Sequence, residues 1–151
     1  MQILEKLKER WHDIDYPFLI HSTGVLRFSE ITKQKSVDLS EVKSGDVVAL
    51  IGDFDPQSIL TLLQLIDKDV ILVPLTVDTR SQHEYFFESA LVDVVIDGDE
   101  VKRINHRLKH EFIDSLRSKE HAGLVLFSTG TTGRPKAVLH DLTLFMQRFE
   151  T

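Results

Sequence analysis

Ser128-Thr129-Gly130-Thr131-Thr132-Gly133-Arg134-Pro135-Lys136 brings four hydroxyl side chains, two glycines and a lysine into nine consecutive positions. That set suits a polyphosphate. Backbone N–H groups reach phosphate oxygens closely only where side chains are absent, which gives Gly130 and Gly133 their use. Ser128, Thr129, Thr131 and Thr132 can donate hydroxyl hydrogen bonds, and Lys136, joined by Arg134, can supply positive charge. Pro135 stiffens the exit of the loop. The Walker A pattern does not fit, because it needs glycine before the lysine and a hydroxyl residue after it. Here Pro135 precedes Lys136 and Ala137 follows. The kinase pattern G-x-G-x-x-G does not occur.

The elements around the loop follow from apolar spacing. Gly123 to Phe127 and Ala137 to Leu139 predict a strand on each side of it. A ligand loop after a buried strand belongs at the carboxyl edge of an α/β sheet. Further upstream, Val47 to Ile51, Val70 to Leu75 and Val92 to Ile96 read as buried strands. Asp55-Pro56 opens a helix carrying Ile59, Leu60, Leu62, Leu63, Leu65 and Ile66. Ser81 and Glu84 fit a capping box for a helix with Phe86, Phe87, Ala90 and Leu91 on its apolar face. Strand–helix–strand–helix–strand over 46–96 is the pattern of a parallel α/β sheet.

The remaining segments are shorter. Residues 3–14 predict an amphipathic helix, and Phe18 to Ile31 a hairpin whose strands 18–20 and 25–28 flank Ser22-Thr23-Gly24. Residues 32–45 read as polar. Asp97-Gly98-Asp99 predicts a hairpin turn into Val101 to Ile104. Leu108, Phe112, Ile113 and Leu116 suggest another helix. A last one, capped by Asp141, has Leu142, Phe145 and Phe149 on one face.

Composition bounds the function. The 151 residues suffice for one ordinary core, with 42% hydrophobic and 28% charged residues. A formal charge of -6 argues against nonspecific nucleic-acid binding, which needs basic patches. There is no cysteine, so disulfides, thiolate catalysis and cysteine-ligated zinc are excluded. No apolar run is long enough to span a bilayer, and the mixed charges of Met1 to Arg10 do not read as a signal peptide. A cytoplasmic protein is the expectation.

Other side chains with chemical potential have plainer readings. His106 and His110, four apart, are metal-ligand candidates but read as a solvated face. Asp97, Asp99 and Glu100 fit a polar turn better than a cation site. Phe86 and Phe87 read as core before stacking platform. His140-Asp141 reads as a helix cap before an acid/base pair.

Leu124 to Lys136, LVLFSTGTTGRPK, resembles the phosphate-binding core motif of the adenylate-forming superfamily, which includes acyl- and aryl-CoA synthetases, peptide-synthetase adenylation domains and luciferases. Gly45 to Leu50 and Val73-Pro74-Leu75 resemble two weaker stretches of the same family, in the same order. Two positions depart from it: Ala137 stands where glycine is usual, and Lys68-Asp69-Val70 where many relatives carry a small Gly/Ala pair.

The resemblance implies an α/β fold. It would be the partial N-terminal domain of an adenylate-forming enzyme, with a mostly parallel sheet, flanking helices and β-hairpins. Residues 1–151 would be the incomplete N-terminal part of an AMP-binding domain, with the C-terminal domain absent. The implied reaction joins ATP and a small-molecule carboxylate into an acyl-adenylate, then passes the acyl group to coenzyme A. Mg²⁺ assists. Ser128, Thr129, Gly130, Thr131, Thr132, Gly133 and Lys136 would contact the phosphates. The adenylation lysine would lie in the missing C-terminal part, so this chain alone is expected to be inactive. Two alternatives stay open: a self-contained nucleotide- or phosphate-binding module, and part of an adenylation domain serving a carrier protein.

Overall fold

The computed structural model describes residues 1–129 and 133–150. In chain order the elements are α1 (Ile3–Trp11), β1 (Leu19–His21), β2 (Gly24–Leu26), α2 (Phe28–Ile31), β3 (Val47–Ile51), α3 (Pro56–Asp67) and β4 (Ile71–Leu75). A 3₁₀ turn (Val77–Gln82) leads to α4 (His83–Ser89), β5 (Val94–Asp97), β6 (Glu100–Arg103), α5 (Glu111–Lys119), β7 (Gly123–Ser128), β8 (Lys136–Asp141) and α6 (Leu142–Gln147).

β3 is apolar at every position because both of its faces are covered. Val47, Ala49 and Ile51 join Ile71, Val73 and Leu75 on one face, under Phe86 and Ala90 next to α4 and Ile113 and Leu116 of α5. Val48, Leu50 and Leu72 point the other way, toward Leu65 of α3 and toward Val37, Leu39 and Val42. A third cluster packs α1 and α2 on the outside of α3 through Ile3, Phe28, Leu63 and Ile66. The result is a helix–sheet–helix sandwich with strand order β6-β5-β3-β4-β7-β8. β3 runs parallel to β4 and β5, and β4 parallel to β7, while β6 and β8 close the two ends as antiparallel partners. Parallel strands deliver their carboxyl ends to one edge, and the β7–β8 loop leaves from that edge.

The opposite edge is fixed by charge. Asp46 and Asp93 are both 0% exposed. Arg103 reaches Asp46 Oδ2 at 2.6 Å, and the Lys43 N–H donates to the same oxygen. Asp93 Oδ2 accepts from the Val47 N–H at 2.9 Å and from Arg117 at 3.3 Å. Arg117 Nε donates to the Gly45 carbonyl at 2.8 Å, and Gly45 takes φ +83, a conformation glycine adopts freely. The Gly45-Asp46 stretch therefore has structural work: it pins the start of β3 to α5.

Several local expectations are corrected. Phe28 opens α2 instead of ending a strand, and Glu30 accepts from the Arg27 N–H at its start. The segment read as polar, 32–45, buries Val37, Leu39 and Val42. The capping box at Ser81 and Glu84 does not form. Ser81 lies within the 3₁₀ turn, and α4 begins two residues later with no side-chain cap. Helix α5 begins at Glu111, which leaves Leu108 outside it. Helix α1 ends at Trp11, before Ile14. Helix α6 ends at Gln147, which leaves Phe149 outside it; Leu142 is buried, while Phe145 and Phe149 meet edge-on at the surface.

Candidate functional site

The phosphate-loop candidates stand on the β7–β8 hairpin. Ser128 and Lys136 are direct cross-strand partners, so Lys136 is the first residue of β8 and not part of the loop. Such partners project from the same face of the sheet, with Cβ atoms about 5 Å apart. Ser128, Thr129, Gly133 and Lys136 are all exposed. Gly133 takes φ +98, a region that side-chain-bearing residues rarely enter. Gly130, Thr131 and Thr132 lie outside the described residues.

Both limbs of this hairpin are held by neighbouring residues of α4. Phe127, one step before Ser128, packs its ring on buried Phe86 at 4.3 Å between centroids. On the other limb, the Tyr85 hydroxyl donates to the Pro135 carbonyl at 2.7 Å, and the Arg134 guanidinium lies 4.8 Å over the Tyr85 ring. Sequence reasoning missed Tyr85, because its partners are about 50 positions away. The available signal was a tyrosine flanking an apolar helix face, where its hydroxyl reaches past the core edge.

The connection from β4 to α4 is fixed by a buried histidine. His83 Nε2 lies 3.0 Å from the Thr76 carbonyl and 3.0 Å from the Thr79 hydroxyl. Facing a carbonyl, that nitrogen carries the proton. Nearby, Arg80 forks onto both oxygens of Asp97 at 2.7 and 3.0 Å. This hydrogen bonding holds the Asp97 carboxyl below the usual aspartate range, against a smaller upward push from burial. Asp99 is bonded to Gln57 at 3.0 Å. Asp97 and Asp99, on either side of the turn from β5 to β6, thus bond to side chains of neighbouring segments. A cleft of about 350 Å³ opens between the carboxyl end of β3 and the start of α3, edged by Asp53, Ser58 and Asp97.

The histidine pairs resolve differently. His110 caps α5, its Nδ1 accepting from the Phe112 N–H at 3.2 Å, and His106 lies outside any helix. Asp141 caps α6 by accepting from the Leu144 N–H at 3.0 Å, and its other oxygen takes His121 Nδ1 at 2.8 Å. Its histidine partner is therefore His121, not the exposed His140. Asp141 pairs with Gly123 at the far end of the ladder, roughly 17 Å of strand from Ser128. That pair does not reach the loop.

Among the described residues, no group of three or more His, Asp or Glu side chains converges to hold a metal ion. No helix among the described residues is long and apolar enough to cross a membrane.

No family model and no curated protein sequence matches the chain. Solved structures do. The Klebsiella oxytoca NpsA N-terminal subdomain superposes with a TM-score of 0.61 at 20% identity, covering 91% of this chain and 40% of that one. The chain has the NpsA N-terminal subdomain fold. The same subdomain in complex with anthranilyl-AMSN gives 0.60 at 21% identity, over 91% of this chain and 39% of that one. VinN gives 0.61 at 14% identity, over 93% and 43%. The expected fold class, α/β with a mostly parallel sheet, flanking helices and β-hairpins, is the one observed. The chain spans about 40% of the length of these neighbours.

Proposed function

We propose that this chain is the N-terminal part of an ATP-dependent carboxylate–CoA ligase, and that it contributes the loop that holds the ATP phosphates. The observation that carries this reading is the Ser128–Lys136 pairing at the carboxyl edge of the sheet, within a segment whose order of residues resembles the adenylate-forming motif. A hydroxyl and an ammonium on one face, beside a glycine at φ +98, make a cradle for anionic oxygens. Their role is electrostatic: they stabilise the pyrophosphate as it departs while the carboxylate attacks the α-phosphorus. Lys136 supplies the fixed positive charge, Ser128 and Thr129 supply hydroxyl donors, and Gly133 lets the backbone approach. Gly130, Thr131 and Thr132 complete the proposed phosphate contacts. Magnesium, held by the phosphates, would neutralise part of their charge.

The molecules bound by the neighbours support a choice of substrate class. NpsA is solved with anthranilyl-AMSN and 3-hydroxybenzoyl-AMSN, and VinN with L-aspartate. A small aryl or amino acid is accordingly the carboxylate proposed here, with coenzyme A as acceptor. ATP–pyrophosphate exchange tests it, measured on the polypeptide carrying this segment against a panel of such acids. The expected result is exchange that depends on one class of acid and is lost in Lys136→Ala. Absence of exchange with every acid would contradict the ligase reading. Thioester formation with coenzyme A, against a phosphopantetheinyl carrier, then decides the acceptor.

A further inference from the structure

We propose that Tyr85 is a positioning residue for the phosphate loop: it fixes the returning limb of the β7–β8 hairpin so that Lys136 meets the phosphates. The inference rests on the phosphate-binding reading of that loop. It concerns a residue outside the motif, on a different element.

Three observations carry it. The Tyr85 hydroxyl donates to the carbonyl of Pro135, the residue directly before Lys136, at 2.7 Å. The same ring holds the Arg134 guanidinium at 4.8 Å, so two consecutive residues of the limb are tied to one side chain. The adjacent helix residue, Phe86, is buried and grips the outgoing limb through Phe127, which faces Ala137 across the ladder. Helix α4 therefore holds both limbs at the level where Ser128 and Lys136 pair. A hairpin on an edge strand has one neighbour in the sheet, so its tip is only as well placed as such side contacts make it. A site group displaced by about 1 Å loses part of its interaction energy, which makes the anchor matter for binding and not only for folding. The ring contact has a second consequence. While it sits over Tyr85, Arg134 is turned toward α4, which leaves Lys136 as the principal cation at the Ser128 pair.

The test compares Tyr85→Phe with the unchanged chain and with Lys136→Ala, using Mg-ATP and inorganic tripolyphosphate in equilibrium titrations well below each melting temperature. Phenylalanine keeps the ring and removes only the hydroxyl. The expected result is a three- to tenfold weaker affinity in Tyr85→Phe for both ligands, the size of one lost neutral hydrogen bond. A merely structural tyrosine would lower the melting temperature and leave the affinity of the folded protein unchanged. Affinity within twofold of the parent in Tyr85→Phe, with Lys136→Ala clearly weakened, overturns the positioning role and leaves the phosphate reading standing. Equal affinities in all three chains, or no saturable binding by the parent, overturn both. Where Tyr85→Phe weakens binding, Tyr85→Trp should not restore it, since the indole N–H leaves from a different point of the ring system.

Discussion

Asp93 is a carboxylate without contact with water, and Arg117 is the cation that makes it tolerable there. The arginine side chain is itself only 11% exposed, and it also bonds to the carbonyls of Gly45 and Leu108 and to Asp114. Removing it leaves a buried charge uncompensated and several acceptors without a donor. Arg117→Ala should therefore destabilise the fold by about 3–5 kcal/mol, read from urea unfolding. A loss below about 1 kcal/mol would mean that water replaces the guanidinium and the pair contributes little. The same scale explains one departure from the adenylate-forming pattern. Asp69, just past α3, sits at φ +54, where glycine is at ease. Aspartate tolerates that conformation better than most side chains, and here its carboxylate receives the Met1 ammonium at 3.0 Å. Ala137, the other departure, faces Phe127 in the ladder on an exposed edge strand.

Helix α6 is tied to the sheet through the Asp141 side chain. Asp141 caps it and bonds to His121, so one carboxylate ties β8, α6 and the entry to β7 together. Burial pushes this carboxyl upward, but the Leu144 N–H, the His121 ring and the Lys119 charge more than offset that, leaving it below the ordinary aspartate range. A depressed value contributes stability that is present above the unfolded value of about 3.9 and lost as pH falls through the lower folded one. Melting temperature followed by circular dichroism should fall below about pH 4. In Asp141→Asn it should start lower at neutral pH and fall less over that interval. Identical acid slopes in the two chains would remove Asp141 from this account.

How far these elements were legible depends on how local their causes are. Strand β3, helix α3 and strand β4 follow from apolar runs and from Asp55-Pro56, whose carboxylate does accept from the Ser58 N–H at 3.0 Å. The burial of Val37, Leu39 and Val42 was hidden, because they sit among polar residues in a segment with no regular period. The box at Ser81 was legible but wrong, since the chain spends those residues on a 3₁₀ turn fixed by His83. The composition of the proposed phosphate loop was legible because it is contiguous. Its anchor was not, because Tyr85 and Pro135 meet only once the sheet is assembled.

At the scale of the whole molecule, the fold gathers its buried ion pairs at one edge of the sheet. Buried ion pairs hold the amino ends of β3 and β5, while the carboxyl ends present the cleft beside α3 and the β7–β8 loop. An apolar groove of about 650 Å³ runs between α5 and β8, past Ile113, Val125 and Val138. Leu144 of α6 also lines it, and Val138 and Leu144 are exposed there. The β7–β8 loop, the proposed phosphate site, is on that side of the sheet, next to the last antiparallel strand, so its support comes from α4 and β7. The claim that this edge binds a nucleotide's phosphates is tested most directly by titrating the 151-residue chain and its Lys136→Ala variant with Mg-ATP. One charge-assisted contact to phosphate is worth about tenfold to a hundredfold in affinity. Saturable binding by the parent, weakened to that extent in the variant, is the result expected here. Binding of equal strength by both chains, or by neither, would contradict it.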